Sequence, residues 1–169
     1  LSGVGARHQL CLTIRDRTGS IVLEEAKAAT QEPFRCIIPQ VQLWNGRKKP
    51  YLYTAVLTLL DGGKALDEVS ARFGVRSYEI DPERGFILNG ESYPLWGVSL
   101  HQDRKGFGNA LLPAHHREDI DLIAELGATT IRLVHYQHAQ AFYDLCDEYG
   151  FVVWAEIPYI SRHMKNGCA

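Results

Sequence analysis

Thr129-Thr-Ile-Arg-Leu-Val-His135, followed after one helical stretch by Phe151-Val-Val-Trp-Ala-Glu-Ile157, decides the fold of the second half of this chain. The first run is rich in β-branched residues and the second is almost wholly apolar; both have strand length. Between them, His138 to Tyr149 predicts a helix closed by Gly150, since glycine readily takes the left-handed conformation just past a helix end. Working backward, Pro113 and the acidic turn after it predict a helix through Leu126. Ile120, Ile123 and Leu126 recur on one side, Leu122 widens the stripe, and Gly127 ends the helix. Leu95-Trp-Gly-Val-Ser-Leu100 predicts another buried strand, ending on His101. Strand, helix, strand, helix, strand at these intervals implies a parallel sheet of right-handed crossover units. Nearly continuous apolar strands agree, because parallel strands are covered on both faces.

The first half has a different rhythm. His8-Gln-Leu-Cys-Leu-Thr-Ile-Arg15 alternates, with Leu10, Leu12 and Ile14 on one face and Cys11 and Thr13 on the other. Asp16-Arg-Thr-Gly19 reads as a turn into Ser20–Glu24, and Asp61-Gly62-Gly63 as a hairpin-like turn. Phe34–Ile38, Tyr51–Leu60 and Glu68–Val75 are further strand candidates. Short strands with frequent turns predict an immunoglobulin-like β-sandwich over residues 1–80. Asn89-Gly90, within Phe86–Tyr93, predicts a tight hairpin at the mouth of the second domain, residues 81–169.

A formal net charge of -2 gives no electrostatic case for a nucleic-acid or anionic-membrane partner. No apolar run approaches the roughly 18–20 residues of a membrane span, and Leu-Ser-Gly-Val-Gly at the start lacks signal-peptide character. Compartment and oligomeric state stay open. Cys11, Cys36, Cys146 and Cys168 have no CxxC spacing and read as buried free thiols, although Cys11 and Cys36 sit in strand-like segments and could be neighbours.

Two architectures accept the parallel units, an open doubly wound sheet and a closed eight-stranded barrel. No GxGxxG loop follows any strand, which weakens the dinucleotide-binding form. Instead each strand ends in polar or ionisable groups: His101 then Asp103, His135 then Tyr136, and Glu156. In a (β/α)₈ barrel those strand ends form the active-site face. Arg132 lies inside an apolar strand and needs a carboxylate, either in a structural ion pair or in an active site. Trp154 has the bulk of a sugar-stacking platform or of core packing, and His115 and His116 fall in an exposed first helical turn. The three-residue spacing of His135 and His138 would suit a metal only if both lay on one helical turn.

Four stretches resemble glycoside hydrolase family 2, which includes β-galactosidases, β-glucuronidases and β-mannosidases. They are Leu43-Trp44 with Pro50-Tyr51-Leu52-Tyr53; Arg72-Phe-Gly-Val-Arg76; Leu88-Asn-Gly with Gly97-Val98 and His101-Gln-Asp103; and Ile131-Arg-Leu-Val-His-Tyr136 with Asp147-Glu-Tyr-Gly150. The last is the most specific. Thr129 stands where the family usually has asparagine, and Gln137 where it usually has proline.

The resemblance implies an internal fragment of a retaining β-glycosidase: an immunoglobulin-like sandwich, then the first three strands of a (β/α)₈ TIM barrel. It implies that Arg132 reaches the catalytic nucleophile and that His101 and His135 hydrogen-bond substrate hydroxyls. Asp103, Tyr136 and Glu156 complete the substrate-binding or supporting shell. The catalytic glutamate pair would lie on later strands, outside this chain. The expected partner is a carbohydrate; no cofactor is expected, and a divalent metal in the full-length parent is open but not indicated by these residues. A β-galactosidase is the first expectation and a β-glucuronidase the second. Two other functions compete: a non-catalytic carbohydrate-binding sandwich, and a metal-dependent barrel hydrolase using His101, Asp103 and His135.

Overall fold

The computed structural model describes residues 7–158, which fall into two compact units: one runs to Trp44 and resumes over Tyr51–Val75, the other comprises Asn45–Pro50 and the chain from Arg76.

The first unit is built on β1 (His8–Arg15), β2 (Ile21–Ala28), β3 (Tyr53–Asp61) and β4 (Lys64–Phe73), all antiparallel in the order β2-β1-β3-β4. Register places Leu10 opposite Leu59, Leu12 opposite Leu57 and Ile14 opposite Ala55, so the period-two pattern sorts cleanly onto one apolar face. Cys11, Thr13 and Thr58 occupy the other face, where Thr13 and Thr58 donate to Glu24 and Glu68. The Asp16 carboxylate organises the first turn by accepting the Thr18 and Ser20 N–H groups at 2.8 and 3.0 Å. Trp44, 2% exposed, packs against Gly74, where a Cβ would fall 2.7 Å from the Trp44 Cβ.

Phe34–Ile38 forms no strand, contrary to expectation. Pro33 and Pro39 flank it without backbone donors for a ladder, and Ile37 is exposed. Cys11 and Cys36 are half-buried free thiols, Cys146 is buried, and Cys168 lies outside the described residues.

In the second unit β5 (Tyr78–Asp81), β6 (Gly85–Leu88) and β7 (Glu91–Ser92) form a small antiparallel sheet. Its β6–β7 turn has Asn89 and Gly90 at φ 52° and 84°, the positive pair that a tight hairpin requires. Then come β8 (Gly97–Leu100), α1 (Pro113–Glu125), β9 (Thr130–Leu133), α2 (Gln140–Tyr149) and β10 (Val152–Ala155). The strands are parallel, ordered β10-β9-β8, with Leu100, Leu133 and Ala155 in register. Thr129 stitches the lower end, donating its hydroxyl to the Pro94 carbonyl at 2.6 Å and accepting the Trp96 N–H at 2.9 Å.

The helices cover one face of this sheet. Ile131 and Leu133, 0% exposed, pack with Ile120, Ile123, Phe142 and Phe151, each such side chain contributing about 1.5–3 kcal/mol of burial. Among the described residues the opposite face, bearing Ser99, Arg132 and Trp154 in one row, is uncovered, and Trp154 is 65% exposed. The expectation of strands covered on both faces therefore holds for the helix side alone within the described residues.

The α1 stripe also differs. At 100° per residue Leu126 is rotated well away from Ile120, whereas His116 lies only one turn back on the same side. Accordingly His116 is buried with Ile120 and Ile123, while Leu122 and Leu126 are exposed. His115 turns its Nδ1 to the Leu112 N–H at 3.2 Å.

Residues 45–50 pack within this second unit. Arg47 lays its guanidinium 4.5 Å from the Phe151 ring centre and donates to the Tyr149 carbonyl at 2.5 Å. Gly150 closes α2 at φ 81° and sits directly against the Gly46 backbone.

Candidate functional site

Because Leu100, Leu133 and Ala155 are in register, the residues after them emerge at the same end of the sheet. Arg132 and Trp154 share a row on the uncovered face, and alternation places Glu156 two residues beyond Trp154. Glu156 divides its carboxylate between two partners. Oε1 accepts the Arg132 Nε at 2.6 Å and also pairs with a terminal guanidinium nitrogen, while Oε2 lies 2.7 Å from His135 Nδ1. The His135 hydrogen bond holds Glu156 below the usual carboxylate range; Arg132 adds to this against the opposing desolvation.

The His101 ring meets His135 edge-on at 5.6 Å and Tyr136 at 6.1 Å. The peptide between Val134 and His135 is cis. Thus His101, Arg132, His135, Tyr136 and Glu156 form one cluster. Asp103 stands apart, exposed and without a hydrogen bond or ion pair among the described residues. Its loop is pinned by Arg104, which reaches Glu118 at 2.5 Å and Asp119 at 2.7 Å.

Two glutamines complete the setting. Gln102 accepts the Ala139 N–H at 2.6 Å and donates to the Asn109 carbonyl at 3.2 Å, joining the loop after β8 to the start of α2. Gln137 donates to the Glu156 carbonyl at 2.7 Å and accepts the Tyr143 hydroxyl at 2.9 Å. A proline at that position could make neither bond. In the sequence Gln102 belongs to no site pattern and Gln137 is only a departure from the family; the signal for both is a long amide beside strand-end groups.

Among the described residues no three His, Cys, Asp or Glu side chains converge as a metal would require. His101, Asp103 and His135 are not gathered in that way. His138 does not share a helical turn with His135; it is buried, with Nε2 3.2 Å from the Val134 carbonyl. Burial pushes its pKa down, as it does for His116.

The family model for the glycosyl hydrolases family 2 TIM barrel domain matches residues 80–169, and a second glycosyl hydrolases family 2 model matches residues 6–76. The chain belongs to glycosyl hydrolase family 2. It carries the immunoglobulin-like module and the start of the TIM barrel; no closed barrel is formed among the described residues. A β-glucuronidase of Bacteroides fragilis is 44% identical over 144 residues, 85% of this chain and 20% of that protein. A β-galactosidase of Bacteroides ovatus is 31% identical over 93% of this chain and 19% of its own length. The crystal structure of an FMN-binding β-glucuronidase from Facaelibacterium prausnitzii L2-6 superposes with a TM-score of 0.91 at 45% identity, covering 94% of this chain and 25% of that one. The chain therefore spans about a fifth of the curated relatives it matches.

Proposed function

We propose that the full-length parent is a retaining β-glycosidase acting on terminal β-glucuronides, and that this segment supplies part of its sugar-binding wall. Similarity at 44–45% identity to proteins described as β-glucuronidases, across nearly the whole chain, carries the choice of sugar. The sequence expectation favoured β-galactosides. That second reading has its own support in a putative β-galactosidase of Bacteroides fragilis, 42% identical with a TM-score of 0.82.

Retaining hydrolysis needs two carboxyl groups about 5–5.5 Å apart, one as nucleophile and one as acid/base. We place both on later barrel strands, outside this segment. Here His101 and His135 hydrogen-bond ring hydroxyls, with Tyr136 beside them and Asp103 apart on the exposed loop after β8. Arg132 uses one edge of its guanidinium on Glu156, and its side chain remains 44% exposed. The outward Nη1 can therefore reach the nucleophile and favour its ionised form. Glu156, already committed to two partners, supports the wall and is not a catalytic carboxylate. The FMN named for one relative is a property of that protein.

The test is kcat/KM of the full-length parent on 4-nitrophenyl β-glucuronide and β-galactoside. At least a hundredfold preference for the glucuronide is expected, about 2.7 kcal/mol of differential transition-state binding. A preference for the galactoside would overturn the glucuronidase reading, and failure on every β-glycoside would overturn the glycosidase reading with it.

A further inference from the structure

His135 sits at the strand-end face with two ring nitrogens in unlike surroundings. Nδ1 lies 2.7 Å from Glu156 Oε2, whereas Nε2 has no hydrogen bond among the described residues and the side chain is 41% exposed. Glu156 is held from several sides: Arg132 occupies Oε1, the Gln137 amide grips its backbone carbonyl, and its own side chain is only 17% exposed. An ionised carboxylate can only accept hydrogen bonds, so the proton in the short contact belongs to Nδ1. With the single proton of a neutral imidazole on Nδ1, Nε2 carries the lone pair.

We propose that Glu156 is a positioning residue that fixes His135 as its Nδ1–H tautomer, leaving Nε2 as an acceptor for a ligand hydroxyl. The ligand's identity as a sugar rests on the glycosidase reading above; the tautomer does not. Binding-site imidazoles could serve hydroxyls as donors or acceptors. Here the second carboxylate oxygen selects the acceptor sense, so the matching hydroxyl must donate.

Glu156→Gln separates this from a purely structural role. The near-isosteric amide must present its oxygen to the Arg132 N–H groups, which turns its NH₂ toward His135 Nδ1. Nδ1 then has to accept, and the ring proton moves to Nε2. One substitution thereby reverses the hydrogen-bonding sense of His135 while keeping its packing.

Two measurements on the full-length parent decide the matter. Neutron diffraction from deuterium-exchanged crystals near neutral pH locates the ring protons. Density at Nδ1 alone is expected; density at Nε2, or at both nitrogens, overturns the proposal. The second compares kcat/KM for hydroxyl and deoxyfluoro glycosides at each ring position, in wild type and in Glu156→Gln. Fluorine cannot donate, so at the position facing His135 the wild-type penalty exceeds that of the variant by on the order of tenfold. Inductive effects cancel in this ratio, and general loosening would affect all positions alike. Equal ratios at every position overturn the proposal. Should Glu156→Gln fail to fold, the wild-type neutron result still decides, and it does so even if the parent hydrolyses no glycoside.

Discussion

Replacing Gly150 by alanine tests whether α2 is locked onto residues 45–50. Two separate effects act there. Gly150 has φ 81°, and Gly127, which closes α1, has a similar φ of 76°. An L-residue in that region costs about 1–2 kcal/mol at either site. A Cβ at Gly127 would meet nothing within 4 Å. A Cβ at Gly150 would fall 2.5 Å from the Gly46 carbonyl carbon and 2.8 Å from the Arg47 nitrogen. These are backbone atoms and cannot swing aside, so overpacking adds about 1–3 kcal/mol at Gly150 alone. Because the parent is much longer than one domain, a global unfolding free energy is the wrong readout. Hydrogen exchange in peptides spanning residues 140–157 reports the local opening. Gly150→Ala should accelerate it beyond the effect of Gly127→Ala on its own peptide by roughly 5- to 150-fold, the equivalent of that added energy. Equal effects of the two substitutions would refute the close approach of Gly150 to the Gly46 backbone.

Three other outcomes follow from the same geometry. Arg132→Lys keeps the charge but loses the parallel edge that grips Glu156 Oε1, and kcat/KM of the parent should fall at least tenfold, about 1.4 kcal/mol; an unchanged value would remove Arg132 from the site. Burial lowers the His116 and His138 pKa values in the folded chain, so the unfolded state binds protons first as pH falls. Their stabilising contribution is complete above the unfolded value of about 6.5 and declines below it; the thermal-inactivation temperature should drop across that window, and less steeply in His116→Phe. A thermal profile flat from pH 7 to 5 would contradict this. Burial also raises the Cys146 thiol to about 12, so iodoacetamide at pH 8 should modify it only after denaturation, as peptide mass spectrometry would show.

The strand–helix rhythm of the second unit was legible because two periods and two terminal glycines agree: Gly127 and Gly150 both close helices in the left-handed conformation. Phe34–Ile38 misled because composition suggested a strand where flanking prolines deny it partners. Leu126 was misplaced because three-residue steps from Ile120 drift off a 3.6-residue stripe, and His116 because a first-turn position suggested exposure although it stays on that stripe. At the site, the need of Arg132 for a carboxylate was visible in the sequence, but its partner was not. Register supplies it: Arg132 pairs with Trp154, and Glu156 follows two residues later on the same face. No sequence pattern indicates that this carboxylate also takes the His135 ring, since the contact depends on the path of Val134 and His135 beyond the strand.

The most direct test of the central reading is proton NMR of 4-nitrophenyl β-glucuronide during hydrolysis by the full-length parent. A retaining two-carboxylate mechanism releases the β-anomer of the free sugar first, with the α-anomer appearing only by mutarotation. Immediate appearance of the α-anomer, or no release from any β-glycoside, would contradict the account.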